Sequence, residues 1–280
     1  MFMVQSKLTN GSNTPLRYPG GKGKITRFVA NVLETNHITG TYIEPFAGGA
    51  GVAINLLLSG RVDAVIINDL DDGVYSFWYS LVNEPEYLLR EIDRVPFDYS
   101  DEKPTAQSSK YLEYWKAIRK RYDFNHYSDI RRKGFDFFML NRMNVSGIIK
   151  GGPIGGAAQD GKYNISSRFN KSTLKEEDRA NSSGKKRESH VSNLEASHFF
   201  NCFLMANSAI WKNSLIFCGS SLLCAGTESF IIHMQPQPST LWSRSASSLN
   251  RIGTGYSLMT KRLKYAGCIP IRTLNNMNIR

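Results

Sequence analysis

Two glycine-rich segments and one acidic strand end hold the residues of this chain best suited to binding chemistry. Pro19-Gly20-Gly21-Lys22-Gly23-Lys24 sets two lysines among glycines. The G-x-x-x-x-G-K-[ST] spacing of a phosphate loop is nonetheless absent, with Tyr18 in place of the first glycine and Ile25 in place of Ser or Thr. Glu44-Pro45-Phe46-Ala47-Gly48-Gly49-Ala50-Gly51 is a turn through which backbone can approach a ligand without a side-chain clash. It lacks the third glycine of a dinucleotide fingerprint, whose place Ile54 takes, and alone it also fits a purely structural turn. Asp69, in Asn68-Asp69-Leu70-Asp71, follows an apolar run. An acid there either accepts from ligand hydroxyls or caps the next helix. The four cysteines (Cys202, Cys218, Cys224, Cys268) are separated by 15, 5 and 43 residues, with no CxxC and no histidine pair at ligand spacing. They read as incidental thiols, and no metal is expected.

These residues need elements to position them. Ile25, Phe28, Val29 and Val32 recur at a helical period. Tyr42-Ile43 is a short strand running into the glycine turn, and Val52, Ala53, Leu56, Leu57 and Leu58 continue from the turn as a helix. Ala64-Val65-Ile66-Ile67 is a β-branched strand that ends at Asn68-Asp69. Strand, glycine turn, helix, strand and acidic end open a doubly wound α/β sheet. Ligands of such sheets bind beyond the carboxyl ends of the strands, where both the turn and Asp69 fall.

The chain has 280 residues, 41% of them hydrophobic and 21% charged, which is globular rather than disordered composition. No uninterrupted apolar stretch approaches the ~20 residues of a membrane helix. The N-terminal MFMVQSKLTN lacks the apolar core of a secretory signal, so a cytoplasmic protein with no membrane partner is expected. The formal net charge of +11 invites a polyanion. It is unevenly spread: residues 1–178 hold 23 Lys+Arg against 21 Asp+Glu, and residues 179–280 hold 12 against 3. Local basic runs, Lys116-Ala117-Ile118-Arg119-Lys120-Arg121 and Arg131-Arg132-Lys133, suit phosphates and equally suit a solvated helix face.

Pro15-Leu16-Arg17-Tyr18-Pro19-Gly20-Gly21-Lys22, the Glu44–Gly51 turn and Asn68-Asp69-Leu70-Asp71 come in that order. Phe137-Phe138-Met139-Leu140-Asn141-Arg142-Met143-Asn144-Val145-Ser146-Gly147 and Ser167-Arg168-Phe169-Asn170-Lys171 follow. As a set they resemble the Dam-type (D12 class) N6-adenine-specific DNA methyltransferases, over roughly residues 14–174 with Val191–Ala196 as an island beyond. The resemblance implies a Rossmann-like α/β sheet using S-adenosyl-L-methionine, with an inserted, mostly helical target-recognition region. It implies a monomer that methylates adenine N6 in duplex DNA. It divides the chain into a cofactor-binding start (1–74), a recognition insertion (75–174) and the rest of the catalytic core (175–280). Cofactor contacts are then expected at Tyr18, Lys22, Glu44, Phe46, Gly48, Gly49 and Asp69. DNA contacts are expected at Arg119, Lys120, Arg121, Arg132, Asn141, Arg142, Lys150 and Arg168. Asn141 and Arg142 either reach bases and phosphates or brace the site. The glycine-rich stretch from Ile148 to Tyr163 is a loop beside DNA or an ordinary surface loop.

One part of the family pattern is missing. The exocyclic amine of a flipped adenine is a weak nucleophile, and an Asp-Pro-Pro-Tyr motif accepts its hydrogens and stacks the base. No such motif occurs here, and no Asp follows Asp178. Read one nucleotide later, codons permitted for Phe217–Gly226 spell F-V-D-P-P-Y-Y-V-Q. Read two nucleotides later, those for Arg251–Tyr265 permit N-W-D-W-L-L-S-Y-D-K-A-P-E-I. Lys175–Glu188, one nucleotide later, permits an amphipathic K-K-K-I-E-L-I-A-Q-V-K-K-E. None of those letters is a residue of this chain. The expectation is a frameshifted 175–280 with little ordered structure and an impaired enzyme. The alternatives are a cofactor- or DNA-binding remnant, a non-functional product, or a divergent domain.

Overall fold

A computed structural model of the chain describes residues 13–18, 22–99, 108–159, 161, 163–174, 188–195, 199, 214–218, 221–225 and 230–233. Pro19–Gly21, Lys175–Arg187, the Gln235–Ser239 tract, Arg251–Tyr265, Cys202 and Cys268 lie outside the described residues.

At the centre of the sheet are two adjacent parallel strands, β1 (Thr41–Glu44) and β2 (Ala64–Asn68), with Tyr42 opposite Val65 and Glu44 opposite Ile67. Both are covered on two faces, so they read as continuous apolar runs rather than alternations. Between them α2 (Gly51–Leu58) opens directly off the glycine turn, and α1 (Thr26–Thr35) precedes β1 after a single 3-10 turn at Lys22–Ile25. Helix α1 buries Val29, Ala30, Val32 and Leu33; of the four residues at the helical period, Val29 and Val32 are buried, while Ile25 and Phe28 are partly buried against the core.

Four helices then intervene: α3 (Asp72–Asn83), α4 (Pro85–Asp93), α5 (Ser108–Phe124) and α6 (Ile130–Met143). Asp71 caps α3, accepting from Gly73 N at 2.8 Å and Val74 N at 2.9 Å. The cap is therefore Asp71 and not Asp69, which leaves the Asp69 carboxylate for other work. Helix α6 crosses α3 at Gly134, where a Cβ would stand 2.3 Å from the Ser76 carbonyl oxygen. That close approach lets Phe138 stack on Phe77 with ring centroids 5.3 Å apart.

Strands β3 (Glu188–Ser192), β4 (Ser214–Cys218), β5 (Ser221–Ala225) and β6 (Phe230–His233) complete a six-stranded sheet in the order β3-β2-β1-β4-β5-β6. The first four in that order run parallel, β5 is antiparallel to β4, and β6 is antiparallel to β5. This is a mixed α/β fold of the kind used by S-adenosylmethionine-dependent methyltransferases. Four strands thus come from a stretch whose sequence shows no sustained strand period, for two physical reasons. Strand β4 is short and apolar, with Leu215 and Ile216 fully buried beside β1. Strand β3 is mostly polar and is held by its backbone ladder, by Val191 packed against the core, and by the side chain of Asn68.

Asn68, almost completely buried, donates to Pro45 O at 3.1 Å and Leu194 O at 2.8 Å. Its Oδ1 accepts from Ser192 Oγ at 2.8 Å and Leu194 N at 2.9 Å. Asn193 completes the joint by donating to Asp69 O at 2.7 Å. Among the described residues no helix is long and apolar enough to cross a membrane.

The Gly134 contact has a direct consequence. Gly134→Ala forces a methyl group against the α3 backbone and is expected to destabilise the protein by ~1–3 kcal/mol, the usual range for overpacking. Urea unfolding of the two proteins measures it, and a change below a few tenths of a kcal/mol contradicts the close crossing.

Candidate functional site

The glycine turn at the end of β1 is built to expose its backbone. Gly48 adopts φ +49 and Ala50 φ +46, both in the left-handed region, and Ala50 is the N-cap of α2. Gly48 N–H donates to Asp69 Oδ2 at 2.7 Å, and Gly48 O accepts from the buried Trp78 Nε1 at 2.8 Å. The second Asp69 oxygen accepts from Asp71 N at 3.0 Å. One carboxylate thus joins the carboxyl ends of β1 and β2. The Tyr18 ring lies on the turn: a Cβ at Gly48 would stand 2.9 Å from Tyr18 Cε1, and one at Gly49 3.1 Å from Tyr18 Cβ. Burial, then the nearby Asp69 and Asp71, raise the Tyr18 phenol above its ordinary range.

A cavity of about 820 Å³ opens beside the turn. Tyr18, Lys22, Phe46, Gly48, Gly49 and Asp69 line it, so six of the seven residues expected to hold a cofactor converge on one space. Glu44 does not line it. Its side chain is fully buried behind the wall, 2.9 Å from Lys22 Nζ, and accepts from Ala53 N at 3.4 Å. Lys22 also donates to the Phe46 carbonyl. Burial raises the Glu44 carboxyl above the usual range, against the opposing pull of Lys22.

The eight residues expected to meet DNA separate into groups. Arg142 and Arg168 line the cavity, joined by Arg17, which lies within the Pro15–Lys22 motif but was not among the expected contacts. Arg142 lies over the Phe138 ring at 5.7 Å and Arg168 over Tyr163 at 5.9 Å. Burial, then the charge of Arg168, lower the Arg17 guanidinium. Most arginines of the basic runs are paired with acids of the protein itself. Arg121 forks onto the buried Asp136 with two 2.6 Å bonds, and Arg132 bonds Glu91 at 2.7 Å. Arg119 bonds Asp123 at 2.8 Å and the Ile149 carbonyl. Lys120 and Lys150 are exposed, and Asn141 is buried against the backbone of Arg17. Arg17 was legible only as the neighbour of Tyr18. Trp78, which holds the turn from α3, carried no sequence signal beyond an apolar helix face.

Fold and cavity together define a class, a Rossmann-like α/β protein whose site lies beyond the carboxyl ends of its central parallel strands. The chain belongs to the D12 class N6 adenine-specific DNA methyltransferase family, whose model matches residues 18–207. It is also similar to the Type II methyltransferase M.MjaIII of Methanocaldococcus jannaschii, with 25% identity over 139 residues, 48% of this chain and 47% of that protein. The chain spans about half the length of this curated relative. The family match runs beyond residue 174 and takes in β3 with the 191–196 island.

The buried Glu44 makes a signed prediction. A carboxyl with a raised folded-state value holds its proton more tightly folded than unfolded. Its contribution therefore falls as pH rises from the ordinary value of 4.5 through the raised one. Glu44→Gln removes that slope. Urea unfolding at pH 4.5 and at successively higher pH is expected to show a smaller loss of stability in the variant, and equal losses contradict the assignment.

Proposed function

We propose that this chain is a DNA adenine methyltransferase scaffold that binds S-adenosylmethionine in the cavity beside Asp69 and duplex DNA at the rim, with little or no methyl transfer. The observation that carries the cofactor reading is the single space shared by the glycine turn and Asp69, at the ends of adjacent parallel strands. Its size falls within the range of small-molecule sites. The lining suits an amino acid joined to a nucleoside. Lys22 offers a cation to a carboxylate, Asp69 keeps acceptor capacity for ribose hydroxyls, and the exposed Phe46 and Tyr18 offer apolar faces to a base. A side chain at Gly48 would meet Tyr18, so the turn presents backbone alone. The cofactor, when bound, supplies a methyl group on a positively charged sulfur. The chain's part is to orient it and to exclude water from one side.

Arg17, Arg142 and Arg168 line the same cavity, and three guanidinium groups on one lining suit backbone phosphates beside a flipped nucleotide. What the chain lacks is the group that receives the amine. Strand β4 is parallel to β1 and ends at Cys218 on the same sheet edge as the glycine turn. There the family pattern calls for Asp-Pro-Pro-Tyr, and this chain offers Cys218-Gly219-Ser220-Ser221. The neighbouring frame permits the missing motif at that point, which supports a frame change in the gene. The restriction-modification setting of such enzymes is consistent with the Type II relative and belongs to this proposal.

The test is direct. Calorimetry with S-adenosylmethionine is expected to show binding, weakened ~10- to 100-fold by Asp69→Ala through loss of charge-assisted bonds. Labelled methyl transfer to duplex DNA is expected to be absent. Robust adenine methylation by the purified chain overturns the impairment, and no cofactor binding by the folded wild type overturns the pocket. For DNA, Arg168→Ala is expected to lower affinity across sequences and to flatten the salt dependence by about one unit of slope. An unchanged slope removes Arg168 from the interface. Sequencing the coding DNA across codons 170–280 decides the frame.

A further inference from the structure

We propose that Asn141 is a positioning residue for the Tyr18 wall of the cavity, acting through the backbone of Arg17; this rests on the cofactor reading of that cavity. Asn141 stands in the last turn of α6, is almost fully buried and does not line the cavity. Its carboxamide is spent on two backbone segments. Oδ1 accepts from Arg17 N at 2.7 Å, while Nδ2 donates to Arg17 O at 2.9 Å and to Gly147 O at 2.9 Å.

An amide that accepts from the N–H and donates to the C=O of one residue grips it as a neighbouring strand does. Both peptide planes flanking residue 17 are thereby held, including the one that leads into Tyr18. Gly147 closes the grip from the other side. It has φ +74, and a Cβ there would stand 2.2 Å from Arg17 O and 3.1 Å from Asn141 Nδ2. Only glycine admits both the conformation and the approach. Arg17 then adds its own anchor, its guanidinium donating to Asn144 O at 3.4 Å. The next residue along, Tyr18, lays its ring on Gly48 and Gly49. The end of the helical insertion and the wall of the cavity are therefore mechanically joined at residue 17.

The chemistry requires a carboxamide. A carboxylate of the same shape keeps the bond from Arg17 N but faces two carbonyl oxygens with no proton to offer. Asn141→Asp is thus expected to weaken S-adenosylmethionine binding at least tenfold at neutral pH. The discriminating experiment is a double-mutant cycle with Tyr18→Ala, read by calorimetry on the full chain. If Asn141 acts through Tyr18, then once Tyr18→Ala is present Asn141→Asp costs little more. Additive losses overturn the proposal, because a merely structural role weakens binding whether or not the ring is there.

A second measurement does not involve the cofactor. In Asn141→Ala the Arg17 amide is expected to lose at least tenfold protection from hydrogen exchange, with the α6 amides unchanged. Retained protection at Arg17 overturns the grip itself. Wild-type chain that binds no S-adenosylmethionine, yet shows this local loss in the variant, separates failure of the cofactor reading from failure of the clamp; it overturns the cofactor role and upholds the grip.

Discussion

The hydrogen bond from Gly48 N–H to the Asp69 carboxylate joins the two strand ends on which the whole site is built. A turn rich in glycine has many conformations to lose, and only fixed partners select one. Here the partners come from both sides. Asp69 takes the N–H from the end of β2, and Trp78 takes the C=O from within α3. With both backbone groups of Gly48 committed, the turn faces the cavity in a single arrangement before any ligand arrives, which is what preorganisation means physically. The second Asp69 oxygen, on Asp71 N, extends the same constraint to the start of α3. Strand, turn and helix are one rigid corner.

That corner was the most legible part of the sequence. Continuous apolar runs, a glycine cluster and an acid at a strand end are local signals, and local signals survive in a linear reading. What escaped it depends on partners distant in the chain. Asp71 and Asp69 look alike as letters, and only the geometry at the start of α3 tells cap from bridge. Strand β3 offers Glu-Ser-His-Val-Ser, whose placement rests on a buried asparagine more than a hundred residues earlier. Glu44 reads as a site residue because it sits in the motif, yet it works behind the wall, holding Lys22 in place.

Charge shows the same limit. Runs of Arg and Lys on helices suggest an electrostatic face, but a run records nothing about the acids folded against it. Arg121 is matched to Asp136 fifteen residues on, and Arg132 to Glu91 on another helix. These pairs fasten α4, α5 and α6 to one another. The near balance of charge over residues 1–178 is the sequence-level trace of that pairing. Arginines that face the cavity come from three separate segments, at 17, 142 and 168, and no window along the chain brings them together.

The Asn68 joint bears on where this protein can be divided. Composition and motif coverage both suggest a natural break near residue 174. Yet the amide of Asn68 is satisfied from Ser192 and Leu194, and the carbonyl of Asp69 from Asn193. A polypeptide ending before β3 would lack those partners and would leave β2 as an open sheet edge beside the strand end that supports the cavity. The hydrogen-bonded network that supports the cavity therefore runs on as far as Leu194. A cut before β3 and a cut after Leu194 are therefore different changes: the first takes away partners of the strand end that supports the cavity, and the second leaves them in place.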